Sequence, residues 1–148
     1  MKINRLFVVG LVALFPFSAF ADDCQLEIEA TDQMSFNQKK MAVPASCETV
    51  KVKLTHTGTM AKAAMGHNWV LAKTSDVQGV VKDGGAAGLD NNFIADGDER
   101  VIAATHVVGG GESAEVEFST AGLAGEKLTF FCSFPGHVGI MQGRFEVQ

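Results

Sequence analysis

The chain has 148 residues, with 12 basic against 17 acidic side chains and a net charge of −5. This length suits one domain with its own core. The acidic balance argues against a nucleic-acid-binding protein, because such proteins neutralise phosphates with Lys and Arg. No internal repeat, charged block or low-complexity linker divides the sequence, so we expect a single folded unit.

The first residues have the pattern of a secretory signal peptide. The basic start Met1–Arg5 precedes the apolar run Leu6–Phe17 and the small-residue ending Ser18–Ala21. The apolar run is shorter than the roughly 20 residues that a membrane anchor needs. We therefore predict that residues 1–21 are removed on export to the periplasm. Residues 22–148 would then form a mature domain that is not inserted in the membrane and has a net charge of about −7.

Apolar residues alternate with a period of two along much of the mature chain, which indicates β-strands. The alternating sets are Leu26 and Ile28; Val50, Val52 and Leu54; Trp69 and Leu71; Val116 and Phe118; Phe145 and Val147. Turn signals lie at Thr57-Gly58, Asp83–Gly85, Asp96-Gly97 and Gly109–Gly111. The segment Ser75–Asn92 follows neither period and carries four glycines, so we expect a flap with a short helix there. Short strands separated by turns predict an all-β sandwich or barrel, without deciding the strand order.

Three cysteines in an exported protein leave one thiol to explain. Cys24 and Cys47 both lie in the N-terminal part of the mature chain, whereas Cys132 lies far away, within Phe130–His137. We predict a Cys24–Cys47 disulfide, which contributes roughly 3 kcal/mol in the loop-closure model. Cys132 would be a free thiol, and the ordinary alternative for a lone cysteine is a buried, inert side chain.

The segment Cys132–Met141 places a thiol, an imidazole and a thioether within ten residues. A Pro-Gly pair favours a tight loop that can turn Cys132, His137 and Met141 toward one point. A second imidazole, His67, lies where a strand is expected to begin. Two histidines and one cysteine with a weak axial methionine form the ligand set of electron-transfer copper sites. We therefore predict one copper ion bound by these four side chains.

Together these motifs resemble the cupredoxins, the blue-copper family that includes azurins and plastocyanins. The resemblance runs from Cys24 to the C terminus. The stretches that carry it are Asp32–Phe36, Met65–Val70, Gln78–Val81, Arg100–Ile102 and Phe130–Met141. The Cys-x4-His-x3-Met spacing is closer to that of the azurins than to the shorter spacing of the plastocyanins. The family implies an eight-stranded Greek-key β-sandwich, one type 1 copper ion and single-electron transfer without catalysis.

The resemblance also implies roles for residues around the ligands. The Gly66 carbonyl would be a weak axial ligand opposite Met141. The backbone amides of Asn68 and Phe134 would donate to the cysteine sulfur, which stabilises thiolate charge and favours reduced copper. His56 matches a histidine that titrates near the family's copper site, so the midpoint potential would vary modestly with pH. A flat potential from mildly acid to mildly alkaline pH would exclude this role.

An apolar rim around the exposed edge of His137 is also implied, and it would allow brief, weak docking. From residue type alone the candidates could all be partly core, whereas the resemblance suggests that several of them form the rim; they are Met34, Met60, Met65, Phe134, Pro135 and Val138. The family suggests c-type cytochromes and periplasmic reductases as partners, and we expect a monomer. Trp69 is expected in the core, and His106 on the surface.

Three other functions fit parts of the sequence. A copper or zinc storage or delivery protein would use similar ligands, although copper should outcompete zinc and zinc cannot undergo redox cycling. A Cys-His hydrolase would use Cys132 as its nucleophile, but no third residue that would orient His137 is evident. A metal-free adhesion module would explain the strands but not Cys132. The pattern as a whole favours the electron carrier.

Overall fold

The computed structural model describes residues 23–148, so the predicted signal peptide, residues 1–21, lies outside the described residues. The strands are β1 Gln25–Thr31, β2 Ser35–Phe36, β3 Lys40–Val43, β4 Thr49–His56, β5 Val70–Lys73, β6 Val101–Ala104, β7 Ser113–Ser119, β8 Leu128–Phe131 and β9 Gln142–Val147. The helices are α1 Lys62–Met65, α2 Val77–Ala87 and the 3₁₀ helix Leu89–Asn91. Within the described part of the chain, no helix has the length and apolar character needed to cross a membrane.

The strands form two sheets that pack as a sandwich. The first sheet has the order β2-β1-β4-β7, and the second has the order β3-β9-β8-β5-β6. The pairs β1–β4 and β3–β9 are parallel, and the other pairs are antiparallel. Only residues 37–39 separate β2 from β3, which lie in different sheets, so these two segments form one strand that crosses between the sheets. Counted in this way, residues 23–148 form the eight strands that the resemblance implies.

The first sheet reproduces the period-two pattern of the sequence. In β4, Val50, Val52 and Leu54 are fully buried. The lysines between them pair with glutamates of neighbouring strands on the opposite face. A sheet with one solvated face requires this alternation, and each aliphatic side chain buried by it contributes about 1.5–3 kcal/mol.

The second sheet is partly covered on its outer face by helix α2. Val77 and Val80 of the helix pack against Val70 and Ala72 of β5 and against Phe131 of β8. Because these two strands are buried on both faces, consecutive apolar residues replace strict alternation, at Val70–Ala72 in β5 and at Phe130–Phe131 in β8. Helix α2 and β8 are therefore the elements that periodicity alone identifies least well.

Helix α2 corrects one prediction from the sequence. Asp83–Gly85, which we expected to break the chain, lies inside the helix. Glycine costs about 1 kcal/mol relative to alanine in a helix, so the glycines hide the helix from propensity arguments. Close contacts explain two of them, since a Cβ atom would meet the Phe93 carbonyl at Gly84 and the guanidinium of Arg100 at Gly79. Tertiary packing thus overrides local propensity.

Trp69 lies at the centre of the core and contacts both sheets. Its indole stacks on Phe118 of β7 and Phe130 of β8, with ring centroids 5.9 and 6.3 Å away, and meets Phe145 of β9 edge-on at 6.0 Å. The side chain is fully buried, which confirms its predicted place in the core. Among the described residues no acceptor bonds to its Nε1, so the indole contributes through apolar packing.

The predicted Cys24–Cys47 disulfide is present, with Cα atoms 5.6 Å apart. It joins the chain just ahead of β1 to the chain just ahead of β4, and so links one end of the parallel β1–β4 pair. Cys132, at the end of β8, is a buried free thiol. The three cysteines thus divide as predicted.

Candidate metal centre

Three buried side chains of metal-ligand type converge near one end of the sandwich. The ligand atoms of His67, Cys132 and His137 all lie within 4.8 Å of one another. The Nδ1 atoms of His67 and His137 are 3.9 and 3.6 Å from the Cys132 sulfur. His67 and Cys132 are fully buried, and His137 is 3% exposed. This cluster can hold one metal ion, and a set of one soft sulfur and two imidazole nitrogens fits copper.

The loop that supplies two of these side chains is closed at its base. The Cys132 amide donates to the Met141 carbonyl at 2.9 Å, and the Met141 amide donates to the His137 carbonyl at 2.8 Å. The His137 amide donates to the Phe134 carbonyl at 3.0 Å across the predicted Pro-Gly turn. Gly136 has φ +86°, a left-handed conformation that glycine adopts without strain. The turn brings the His137 ring back toward Cys132.

His67 is fixed by its backbone and by its ring. Its backbone exchanges two hydrogen bonds with Val108, at 3.0 and 2.8 Å, in an isolated bridge ahead of β5. Its Nε2 donates to the Thr31 carbonyl at 2.9 Å, which leaves Nδ1 unprotonated and directed at Cys132. The part played by Thr31 could not be read from the sequence, because a backbone carbonyl carries no residue-type signal.

Asn68 connects the two loops that carry the cluster. Its Oδ1 accepts from the Ser133 amide at 2.9 Å, and its Nδ2 donates to the Ser133 hydroxyl at 2.8 Å and to the Asn92 carbonyl at 2.9 Å. The backbone amides of Asn68 and Phe134 donate to the Cys132 sulfur. The sequence did not single out Ser133 or Asn92; for Asn92 the available signal was its residue type, since asparagine tolerates left-handed backbone.

The two residues predicted as axial ligands lie on the loops of the cluster. Met141 is fully buried, and Gly66 is buried directly before His67. A Cβ atom at Gly66 would meet the Lys62 carbonyl and the Val107 side chain, so this position requires glycine. Axial coordination by the Met141 thioether and the Gly66 carbonyl stays a prediction.

The two remaining histidines differ sharply in their surroundings. His56 is fully buried, and its ring centroid lies 4.6 Å from that of His67. Its Nδ1 accepts from the Gly58 amide at 3.0 Å, and its Nε2 donates to the Met65 carbonyl at 2.9 Å. His106 is exposed, as predicted. His56 therefore adjoins the cluster, whereas His106 belongs to the surface.

Burial determines the protonation of the cluster. It raises the pKa of the Cys132 thiol to about 12, against the opposing effect of the Asn68 and Phe134 amides. Burial also lowers the pKa of His67 to about 4 and lowers the pKa of His137. At neutral pH the metal-free cluster therefore holds a thiol and two neutral imidazoles, and the thiol proton must leave when a metal ion binds.

We expect the metal-free protein to lose stability on both sides of neutral pH. The pKa of His67 falls from 6.5 to about 4 on folding, so the unfolded chain binds more protons between these values. The free energy of unfolding should therefore fall as the pH drops from 6.5 towards 4. The pKa of Cys132 rises from 9.0 to about 12, so the free energy of unfolding should also fall as the pH rises through this window.

Urea unfolding of the metal-free protein at pH 4.5, 7 and 10 measures both effects. Cys132→Ala is the matched control, since it should keep the acid loss and reduce the alkaline loss. An unfolding free energy that stays flat between pH 7 and 4.5 would contradict the neutral imidazoles.

Several residues of the apolar rim predicted around His137 reach the protein surface. Phe134 stacks on the His137 ring with centroids 4.6 Å apart. Met60 is 40% exposed, and Ile140, which the sequence prediction left out, is 54% exposed. The other predicted rim residues are exposed or half-buried, namely Met34, Met65, Pro135 and Val138. Asp32 accepts from the amides of Thr59 and Met60, and thereby links the two rim loops that carry Met34 and Met60.

Known proteins are similar to this chain in sequence and in fold. The family model of copper binding proteins, plastocyanin/azurin family, matches residues 22–148. Azurin of Bordetella pertussis is 50% identical over 140 residues, which cover 94% of this chain and 93% of that protein. Azurin-1 of Alcaligenes xylosoxydans xylosoxydans is 51% identical over 122 residues, which cover 82% and 95%. The solved structure of azurin Az-iso2 from Methylomonas sp. strain J matches with a TM-score of 0.81 and 45% identity, over 84% of this chain and 98% of that one.

Proposed function

Because this chain belongs to the plastocyanin/azurin family of copper-binding proteins, we propose that it is a periplasmic electron carrier and not an enzyme. The buried cluster of His67, Cys132 and His137 is the observation that carries this proposal. When bound, a type 1 copper ion supplies the one-electron Cu(II)/Cu(I) couple. The protein supplies the donors, fixes their directions and excludes water.

The donors divide by strength. The Nδ1 atoms of His67 and His137 and the thiolate of Cys132 would be the strong ligands. The Met141 thioether and the Gly66 carbonyl would be the weaker donors. Soft sulfur favours Cu(I) and imidazole accepts Cu(II) readily, so this set serves both oxidation states.

The surroundings of the donors limit their movement. A hydrogen bond from the Cys132 amide to the Met141 carbonyl closes the base of the ligand loop. A hydrogen bond from His67 Nε2 to the Thr31 carbonyl fixes the His67 ring. The Asn68 side chain links the two ligand loops. The backbone amides of Asn68 and Phe134 donate to the Cys132 sulfur. Donors that are already in place need little rearrangement when the charge changes, and this favours rapid electron exchange.

Met141→Leu should raise the midpoint potential while copper is retained. Soft sulfur is compatible with Cu(I), but an additional weak donor supplies electron density that stabilises the higher charge of Cu(II) more than that of Cu(I). Leucine fills a similar volume without donating. A tenfold loss of Cu(II) preference corresponds to a rise of about 59 mV. Spectroelectrochemical titration measures the shift. Met41→Leu, at a buried position in β3, is the control and should leave the potential unchanged; a lower potential in Met141→Leu would show the axial assignment to be wrong.

The partners would be c-type cytochromes and periplasmic reductases, which the carrier would meet as a monomer. Support comes from the apolar rim, where Met60 and Ile140 are exposed and Phe134 stacks on His137. A small apolar surface allows contact without strong charge pairing, so that the partners separate quickly after each transfer.

Spectroscopy of the exported protein tests this function. The mature chain should begin at Asp22 and appear in the periplasmic fraction. Added Cu(II) should give an intense blue band that bleaches with ascorbate and returns with ferricyanide, and the oxidised protein should accept electrons from a reduced c-type cytochrome. A colourless protein would favour metal storage, and a blue protein that does not exchange electrons would exclude a carrier.

The hydrolase alternative is disfavoured by the state of Cys132. Reactive cysteines have a lowered pKa and are partly exposed. Burial instead raises the pKa of Cys132 to about 12 and leaves the side chain without exposed surface. A substrate could not reach this sulfur without opening of the ligand loop.

A further inference from the structure

Asn92, which follows the 3₁₀ helix, lies outside both ligand loops yet is bonded to their surroundings. Its backbone carbonyl accepts from the Asn68 side chain at 2.9 Å. Its own Oδ1 accepts from the Val107 amide at 2.9 Å. Val107 precedes Val108, whose backbone forms the bridge with His67. One residue thus connects Asn68 to the segment that holds His67.

The next residue reaches the second ligand loop. The Phe93 ring contacts Phe134 edge-on, with centroids 4.9 Å apart, and Phe134 in turn stacks on His137. Asn92 and Phe93 have φ +55° and +53°. Asparagine tolerates this left-handed conformation, but for phenylalanine it is strained. Such strain persists where the surroundings hold it, and it concentrates at functional sites.

Resting on the electron-carrier function proposed above, we propose that Asn92 is a positioning residue of the copper site. It holds the Asn68 side chain, which is bonded to both the amide and the hydroxyl of Ser133. The Asn68–Ser133 link joins the loop that carries the Asn68 backbone amide to the loop that carries the Phe134 backbone amide. Both amides thereby stay directed at the Cys132 sulfur. Phe93 holds the same second loop through Phe134.

Loss of the Asn92 side chain should change the midpoint potential, because the hydrogen bonds that it helps to hold stabilise the negative charge on the Cys132 sulfur. Without the hydrogen bond that the Val107 amide donates to the Asn92 side chain, the Asn92 carbonyl that orients Asn68 is no longer fixed. The amide hydrogen bonds to the thiolate then weaken, and Cu(I) loses more stabilisation than Cu(II). The midpoint potential should fall, and the dissociation constant for Cu(I) should rise about tenfold.

Asn92→Gly tests the role with little risk to the fold. Glycine adopts φ +55° without strain and keeps the backbone carbonyl. Of the hydrogen bonds that Asn92 accepts from Asn68 and Val107, the substitution therefore removes only the one at Oδ1. Asn91→Gly is the matched control, because Asn91 is the preceding residue, and its side chain also makes one 2.9 Å hydrogen bond, to the Ala87 carbonyl. Asn92→Asp keeps an acceptor oxygen at this position but adds a negative charge. Asn91→Asp adds the same charge at the neighbouring residue, so comparing the two variants separates the effect of charge from that of the acceptor.

Two measurements are made on each variant. The first is the midpoint potential of the copper protein. The second is the hydrogen-exchange rate of the Ser133 amide in the metal-free protein, which reports the Asn68–Ser133 link. We expect Asn92→Gly to show a lower potential and about tenfold faster exchange than Asn91→Gly, and the two Asp variants to match each other.

Other results would overturn the proposal. If Asn92→Gly behaves like Asn91→Gly in both measurements, Asn92 only anchors its own loop. Faster hydrogen exchange of the Ser133 amide with an unchanged midpoint potential would show that Asn92 orients the Asn68 side chain without affecting the copper site. Failure of Asn92→Asp to match Asn91→Asp would show that the acceptor oxygen is not responsible. A parent protein without a blue band would instead refute the carrier function, while the exchange measurement would still test the link.

Discussion

Replacing Cys132 with serine should abolish the intense blue absorption of the copper-loaded protein and weaken copper binding by more than about 100-fold. The thiolate is the soft donor of the set, and a serine hydroxyl at this position would remain protonated and bind copper poorly. The substitution changes one atom in a fully buried site, so the fold should persist. Titration with Cu(II), followed by visible absorption and by competition with a chelator, measures both effects.

The control variant removes the Cys24–Cys47 disulfide and leaves Cys132 in place. The double variant Cys24→Ser, Cys47→Ser should keep the blue band, because the disulfide is separate from the cluster. It should lose roughly 3 kcal/mol of unfolding free energy, since the bridge spans 23 residues. A blue band that survives in Cys132→Ser would mean that this sulfur does not bind copper, and the proposed function would fail with it.

Trp69→Ala should destabilise the metal-free protein by about 3–5 kcal/mol. The indole contacts Phe118 in one sheet and Phe130 and Phe145 in the other. Alanine would leave a cavity between two sheets that cannot collapse without moving each other. Urea unfolding should show a lower midpoint with an unchanged denaturant dependence.

Trp69→Phe separates packing from polarity. Because no acceptor bonds to the Trp69 Nε1 within residues 23–148, phenylalanine loses no hydrogen bond and keeps most of the ring contacts. Its cost should stay below about 1.5 kcal/mol. Equal destabilisation by alanine and phenylalanine would show that the indole nitrogen, and not the volume of the ring, stabilises the core.

The strands could be predicted where one face of the sheet meets water. Val50, Val52 and Leu54 of β4 alternate with polar residues because the opposite face is solvated. In β8, all four residues are buried, since helix α2 covers Phe131 from outside, and the alternation disappears. A short helix was expected within Ser75–Asn92, but its length was not, because Asp83–Gly85 reads as a break in the sequence. Gly84 lies inside the helix because a Cβ atom there would meet the Phe93 carbonyl.

The residues of the site also fall into a group that the sequence could predict and a group that it could not. His67, Cys132 and His137 were predictable because metal binding demands particular side chains. Thr31 and Asn92 contribute carbonyl oxygens, which every residue possesses, so only the fold shows their position. The sequence therefore reveals donors whose chemistry is specific and conceals the backbone groups that orient them.

The buried thiol also bears on how the disulfide survives. Any two of the three cysteines could pair in an unfolded chain, and exchange between pairings proceeds through a thiolate. Because burial raises the pKa of Cys132 well above its ordinary value of 9.0, the folded protein carries far less thiolate at neutral pH than the unfolded chain does. Burial also separates this sulfur from any attacking or receiving partner. Scrambling is thus confined to the interval before the ligand loop closes over Cys132, and completion of the fold itself protects the correct bridge before any metal ion binds.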